Sequence, residues 1–322
     1  MISFIQKQFL PLGLLFAGLA GIFMPAAGIY MATLPTVYFV VSIIFFISGL
    51  LLKTDEIWKA IRAWQGTVWG CISILVVTPL VGVFFTAMLP INPIFQIGLS
   101  LFCCMPTTLS SGIALTNQAR GNVALALLLT VLTNIGGIVT VPFTLVFLVS
   151  PVLQSVGPVE LSAGDLLLKL CVSILLPLLA GRFCQKFGDV WLDAHRSQLA
   201  LISNLALISV PWMKFSQSSE RLVELDMNEL SVLILACICL HIIYLILNAG
   251  AVKLLPIEWN EGKAVILLSS QKTIPVAMTV LAFIPVDEET KGLIAIPCIT
   301  FHFVQIIIDA LLVTRWRNRS QA

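Results

Sequence analysis

The run LLSSQKTIPVAM, residues 267–278, decides the reading of this chain. It sits inside an apolar segment, about 260–286, that is long enough to cross a bilayer, which takes roughly 20 residues. Yet it carries five consecutive polar residues, Ser269, Ser270, Gln271, Lys272 and Thr273, followed by Pro275. A charge at bilayer depth is costly and usually functional.

The first half holds a counterpart, LFCCMPTTLSSG at 101–112, where Thr107, Thr108, Ser110 and Ser111 follow Pro106. Proline removes one backbone donor and frees a carbonyl one turn earlier. Unwound backbone at membrane depth is tolerated only where it is buried in protein or lines a wet cavity. Half-helix ends then aim positive dipoles and bare carbonyls at a midplane site. The plain alternative is a pair of proline kinks stabilised by hydroxyl bonds to carbonyls. Two such spans at matching positions favour a binding site.

Of the 322 residues, 59% are hydrophobic and 11% charged, and the mean hydropathy is +1.03. These values lie outside the globular range, and the apolar runs show no period-2 alternation, so a barrel is excluded. The expectation is an all-α polytopic membrane protein, one transporter domain over 1–322. Ten spans are expected, near 9–28, 34–52, 66–88, 93–119, 121–149, 162–185, 197–215, 229–254, 260–286 and 290–314. The first could also be read as a signal peptide, but its partner in the second half argues that it stays. The two sets of five align as repeats over 1–150 and 160–322. An odd number of spans per repeat makes the second enter from the opposite side, an inverted repeat.

Thirteen cationic residues fall on one side: Lys7, Lys53, Lys59, Arg62, Arg120, Arg182, Lys186, Arg196, Lys253, Lys263, Arg315, Arg317 and Arg319. Only Lys169, Lys214, Arg221 and Lys291 fall on the other, with Glu220, Glu224, Asp226 and Glu229. Both termini are therefore expected in the cytoplasm, of a plasma or bacterial inner membrane. The eight cysteines lie in apolar segments without CxxC spacing and read as small buried apolar residues. With His195, His241 and His302 scattered, no zinc site is expected.

Further polar stripes share helix faces: Thr130, Thr133 and Asn134 on the fifth span, and His302, Gln305 and Asp309 on the tenth. Both should face the bundle interior. Asn134 and Gln305 read equally as interhelical glue and as ligands. His302 is a candidate proton-coupling group, whereas Asp309 reads as a partner for a helix end or basic loop. His241 reads as a packed, hydrogen-bonded histidine. In the turn Arg120-Gly121-Asn122, Gly121 is expected to permit the reversal.

MPTTLSSGIALTNQARGNVALALLLT (105–130) and SSQKTIPVAMTVL (269–281) resemble the bile acid:sodium symporter family. The closer resemblance is to its member-7-like branch, which includes bacterial homologues and plant plastid sodium/metabolite cotransporters. It covers essentially the whole chain. It implies spans 1, 2, 6 and 7 as a panel domain and spans 3–5 and 8–10 as a core, with broken helices 4 and 9 crossing. It also implies organic-anion substrates and sodium as the coupling ion.

The chain departs from the sodium-coupled pattern in spans 3, 4, 5 and 9. Thr107 and Thr108 stand where the family has glycines, and Gly112 falls near its asparagine. Ala126 replaces a serine four residues before Thr130, and Ile74 replaces a glutamine five before Pro79. Matching KT to the family's glutamine-asparagine puts Lys272 at the glutamine and Leu268 at the glutamate that serves both sodium sites. Neither sodium site is therefore expected to survive in its usual form; Ser111, Thr130 and Gln271 are the candidate residual sodium ligands, and no other metal is expected. The Lys272 ammonium is expected to take the place of one sodium ion, either as a counter-charge for the substrate or as a titrating group. Alternatively it staples the crossing and has no transport role.

The leading expectation is a secondary active transporter of a small organic anion working by alternating access, with sodium or a proton as coupling ion and no cofactor. The alternative is a non-transporting sensor or regulator on a fold that has lost its sodium sites. An enzyme is not expected, since HExxH, GxSxG and paired intramembrane aspartates are missing from the sequence. The bilayer and the anion are the expected partners; no nucleic acid is, and no protein partner is readable.

Overall fold

The computed structural model describes residues 9–33, 36–51, 63–154, 160–220 and 226–319. Lys7, Lys53, Lys59, Arg62, Arg221 and Glu224, used above for orientation, lie outside them. Every regular element among the described residues is helical. Seven helices are long and apolar enough to cross a membrane, or eight if one bent pair counts as a single span.

Residues form two compact units. The first gathers 1–52, 159–226 and 278–296. Its helices are α1 (Phe9–Phe23), α2 (Pro25–Thr33), α3 (Thr36–Leu50), α8 (Ala163–Gln185) and α9 (Asp189–Gln217). The expected straight span at 9–28 is bent by 96° between Leu12–Phe23 and Pro25–Thr33. Pro25 supplies no N–H and disfavours helical backbone at Met24. Helices α3 and α8 meet backbone to backbone through Gly49 and Gly181. A Cβ on Gly49 would lie 2.1 Å from the Leu178 carbonyl oxygen, and one on Gly181 2.0 Å from that of Phe46.

The second unit gathers 53–158, 227–277 and 297–322. It contains α4 (Trp64–Ala87), α5 (Pro93–Cys103), α6 (Ser111–Gln118), α7 (Val123–Leu153), α10 (Met227–Leu254) and α11 (Trp259–Ser270). The boundary between units falls inside α12 (Ile274–Phe283) and α13 (Glu288–Arg319). Residues 278–296, expected with spans 9 and 10, therefore group with the first unit. Glu288 pairs there with Lys214 and Lys291, Ser218 donates to the Glu289 carbonyl at 2.9 Å, and Tyr38 stacks on Phe283.

Helices α4, α7 and α8 each contain one π-helical turn, at Ser73–Val77, Leu145–Val149 and Cys171–Leu175. Each lies just before a proline, Pro79, Pro151 or Pro177. A widened turn relieves the clash of the proline ring with the preceding carbonyl. In the α6–α7 turn the left-handed residue is Arg120, with φ 55°. Gly121 is needed for closeness instead: its N–H bonds the Thr116 carbonyl, and a Cβ there would sit 2.9 Å from the Thr116 side chain. Asn122 then caps α7 through its bond from the Leu125 N–H.

All eight cysteines are thiols. Cys103, Cys104, Cys237 and Cys298 are buried as expected, but Cys184 and Cys239 are exposed. On an apolar membrane helix an outward thiol costs little, because the surroundings are hydrocarbon.

Candidate functional site

The stretch from Trp259 to Phe283 is wholly buried across its most apolar window. It is not one helix. Helix α11 stops at Ser270, Gln271 is extended with φ −94° and ψ 149°, and α12 begins at Ile274. Pro275 cannot donate to the Gln271 carbonyl, which removes the bond that would carry the helix through.

One side chain replaces the lost ladder at residue 272. Gln305 on α13 accepts from the Lys272 N–H at 2.9 Å and donates to the Lys272 carbonyl at 2.7 Å. The Thr273 N–H donates to the Pro106 carbonyl at 3.0 Å. Gln305 Nε2 also donates to His302 Nδ1 at 2.9 Å, so that nitrogen carries no proton and the ring is neutral in this arrangement. His302 Nε2 is buried without a partner.

The Lys272 side chain is fully buried, and its ammonium donates to the carbonyls of Ile74 and Met105, both at 2.9 Å. Proline chemistry explains why Ile74 is available. Within the π turn the Thr78 N–H goes to the Ser73 carbonyl, and the next residue, Pro79, has no N–H to offer Ile74. Met105 lies in the unwound segment between α5 and α6. Among the described residues no carboxylate pairs with this ammonium.

The unwound residues 104–110 supply the other half of the crossing. Once α11 breaks, the Leu268 carbonyl loses the Lys272 N–H, and the Thr107 hydroxyl takes it at 2.5 Å. Thr108 donates to Gln271 Oε1 at 2.7 Å and accepts from the Gly112 N–H at 3.1 Å. The Ser111 hydroxyl lies 3.5 Å from the same Gln271 oxygen. From α7, the Thr130 hydroxyl bonds the Ala126 carbonyl at 2.9 Å and lies 3.4 Å from the Thr108 carbonyl. Asn134 donates to the carbonyls of Thr107 and Thr130, while its Oδ1 is buried and unpartnered. The donor set is one of hard oxygens, as a sodium ion needs, and an orphaned buried oxygen stands among them.

The site also contains a carboxylate that the sequence reading placed elsewhere. Asp309 is fully buried, accepts from His241 Nε2 at 2.8 Å and accepts from Gln271 Nε2 at 2.5 Å. Its partners are His241 and Gln271, the residue that follows the end of α11, and not a basic loop. It lies four residues beyond Gln305 on the same face of α13, and so follows Gln305 into the crossing. His241 is packed and hydrogen-bonded, edge-on to Phe301.

Of the candidate residues, Thr107, Thr108, Ser111, Thr130, Asn134, Gln271, Lys272, Thr273 and His302 fall into this one network. Ser270 joins a neighbouring cluster, accepting from Asn248, whose own oxygen takes Ser73 and Trp69. Ser269 Oγ is buried and unpartnered, and Ser110 is exposed and makes no side-chain cap. Missed from sequence were the Ile74 and Met105 carbonyls, Asn248, and the site roles of His241 and Asp309. Pro79 was the available signal for Ile74, and the i, i+4 spacing of Gln305 and Asp309 the one for the acid.

Residues 7–318 match the family described as the SBF-like CPA transporter family. The chain is 34% identical over 336 residues to "Probable sodium/metabolite cotransporter BASS4, chloroplastic" of Oryza sativa subsp. indica, covering all of this chain and 78% of the rice protein. It is 24% identical over 286 residues to "Putative symporter YfeH" of Escherichia coli, covering 87% and 84%. It is 26% identical over 286 residues to "Sodium/bile acid cotransporter 7-A" of Xenopus laevis, covering 86% and 80%. The chain belongs to this family of membrane transporters, whose named relatives are cotransporters and symporters and not enzymes.

Proposed function

We propose that this chain, a multi-pass membrane protein of the SBF-like transporter family, is a secondary transporter that carries a small organic anion by alternating access with sodium as the coupling ion. The sodium ion is held by oxygens of Ser111, Thr130 and Gln271, with Thr107, Thr108 and Asn134 around them. The Lys272 ammonium stands where a second cation would bind and is the counter-charge for the anion. Ser110, Ser269, Ser270, Thr273 and His302 complete the polar lining. Sodium coupling draws on the names of the rice and frog relatives.

The observation that carries the reading is the pair of carbonyl contacts made by Lys272 Nζ, 2.9 Å each, with no carboxylate partner among the described residues. A buried ammonium solvated by backbone oxygens behaves as a captive cation, and in a low-dielectric site it attracts an anion strongly. The family membership favours a transporter over a sensor that has lost transport.

The architecture we propose is ten transmembrane helices in two inverted repeats, 1–150 and 160–322, with both termini in the cytoplasm of a plasma or bacterial inner membrane. Helices α5–α6 and α11–α12 are its two broken crossing spans. The two compact units support a panel of spans 1, 2, 6 and 7 and a core of spans 3–5 and 8–10, the segment 278–296 apart.

The test is a thermal-shift screen of organic anions in sodium, potassium and choline salts, followed by vesicle uptake of the best hit. Wild-type protein, Lys272→Gln and Lys272→Met are compared with and without sodium. Loss of uptake in both variants is expected. Unchanged uptake by Lys272→Met would sink the counter-charge role.

A further inference from the structure

Gln271 has one amide oxygen and one amide nitrogen, and each must face a different neighbour. Its oxygen faces hydroxyls, with Thr108 Oγ1 at 2.7 Å and Ser111 Oγ at 3.5 Å. Its nitrogen donates to Asp309 Oδ2 at 2.5 Å, and the other carboxylate oxygen of Asp309 takes His241 Nε2 at 2.8 Å. A carboxylate accepts and never donates, so it fixes which end of the amide points which way. An uncharged amide at 309 would impose no such choice.

The glycine at 112 makes room for this arrangement. A Cβ there would lie 2.8 Å from Thr108 Oγ1, 3.1 Å from Gln271 Oε1 and 2.7 Å from the Leu268 side chain. A side chain at 112 would press on the Thr108 hydroxyl and the Gln271 oxygen and force them to shift. On the α7 side, the buried Asn134 Oδ1 has no partner, an oxygen still open to a cation.

Charge points the same way. Position 268 is a leucine, and position 272, next to Gln271, is a lysine. A second cation next to the Lys272 ammonium is repelled unless an anion lies close. Among the described residues, Asp309 is the carboxylate that bonds a member of this cluster.

We infer that Asp309, held by His241, is the positioning carboxylate of the coupling-ion site: it anchors the Gln271 amide nitrogen, turns Gln271 Oε1 toward Thr108 and Ser111, and supplies the site's negative charge. This rests on the sodium-coupled reading given above. Asp309 acts through Gln271, in the manner of outer-shell partners that orient and charge the groups touching a metal.

The experiment titrates the purified full-length chain in nanodiscs with sodium chloride against choline chloride and reads the midpoint of thermal unfolding. In wild type, sodium raises the midpoint and the curve gives a half-saturation. Asp309→Asn raises that half-saturation at least about tenfold, the range typical for losing such a partner. The exchange Asp309→Asn with Gln271→Glu keeps the hydrogen bond with its polarity reversed and puts the charge in the cluster, so it restores the sodium response. His241→Gln, which still donates to Asp309, shifts it less than Asp309→Asn. Should Asp309→Asn lower the midpoint equally in both salts at an unchanged half-saturation, Asp309 is a structural acid and the inference fails. Should Asp309→Asn not fold, the exchange variant decides, and a folded but sodium-blind exchange variant overturns the inference. A wild type blind to sodium sinks the coupling-ion reading itself. A sodium response lost in Ser111→Ala but intact in Asp309→Asn sinks only the role of Asp309.

Discussion

The two helix breaks solve one problem in different ways. At residues 271–273 a single side chain, Gln305, satisfies both the N–H and the carbonyl of Lys272. At 104–110 the freed groups are shared among many: Asn134 takes the Thr107 carbonyl, Thr130 approaches that of Thr108, and Lys272 takes that of Met105. Both Lys272 backbone groups hang on one side chain and are lost together with it, although the Pro106 carbonyl and the Thr107 hydroxyl hold the flanking Thr273 and Leu268. A break held at several points loses only a part when any one is removed.

The largest effect should therefore come from Gln305→Leu. It strands two buried backbone groups at about 1–3 kcal/mol each, so a loss of roughly 2–6 kcal/mol is expected. Chemical denaturation in nanodiscs would measure it, and a loss below about 1 kcal/mol would mean the clamp is not the chief support of this break.

Next comes the proline that links the breaks to α4. Lys272→Met leaves the Ile74 carbonyl with only the Thr78 hydroxyl at 3.4 Å, and Pro79→Ala returns an N–H beside it. Pro79→Ala should be more stabilising by about 1–2 kcal/mol in the Lys272→Met background than in wild type. Additive effects in that double-mutant cycle would separate Lys272 from Pro79.

Asn134→Leu frees one carbonyl at the shared break, and a cost near 1 kcal/mol is expected, well short of Gln305→Leu. A cost equal to that of Gln305→Leu would erase the contrast between the breaks. The smallest effect belongs to Ser269→Ala. Its hydroxyl is buried with no partner, so removing it should leave stability within about 0.5 kcal/mol or improve it slightly. A clear loss of sodium or anion response there, with stability intact, would place Ser269 among the ligands.

Much of the crossing was legible in the sequence because its causes are local. Pro106 and Pro275 end helices through covalent geometry, and Thr107, Thr108, Gln271 and Thr273 lie within a few residues of those ends, although each bonds across to the opposite break. Gly121 was legible as the residue of the turn, but two uses of glycine, positive φ and close approach, leave the same mark in a sequence, and the structure uses the second. Asp309 misled because depth along a helix was taken for distance from the site.

The sequence by itself determined that this is a helical membrane protein with two unwound spans and a lysine in one of them. Hydropathy is read within one span, and proline and polar clusters within about one turn, and none of them needs a partner to be read. Only the tertiary structure decided which distant groups close the freed bonds. It brought the Ile74 carbonyl to Lys272 across 198 residues, and Asp309 to both Gln271 and His241. The physical reason is that a buried polar group must be satisfied by something, while the choice of partner is made by helix packing and not by the chain's local chemistry.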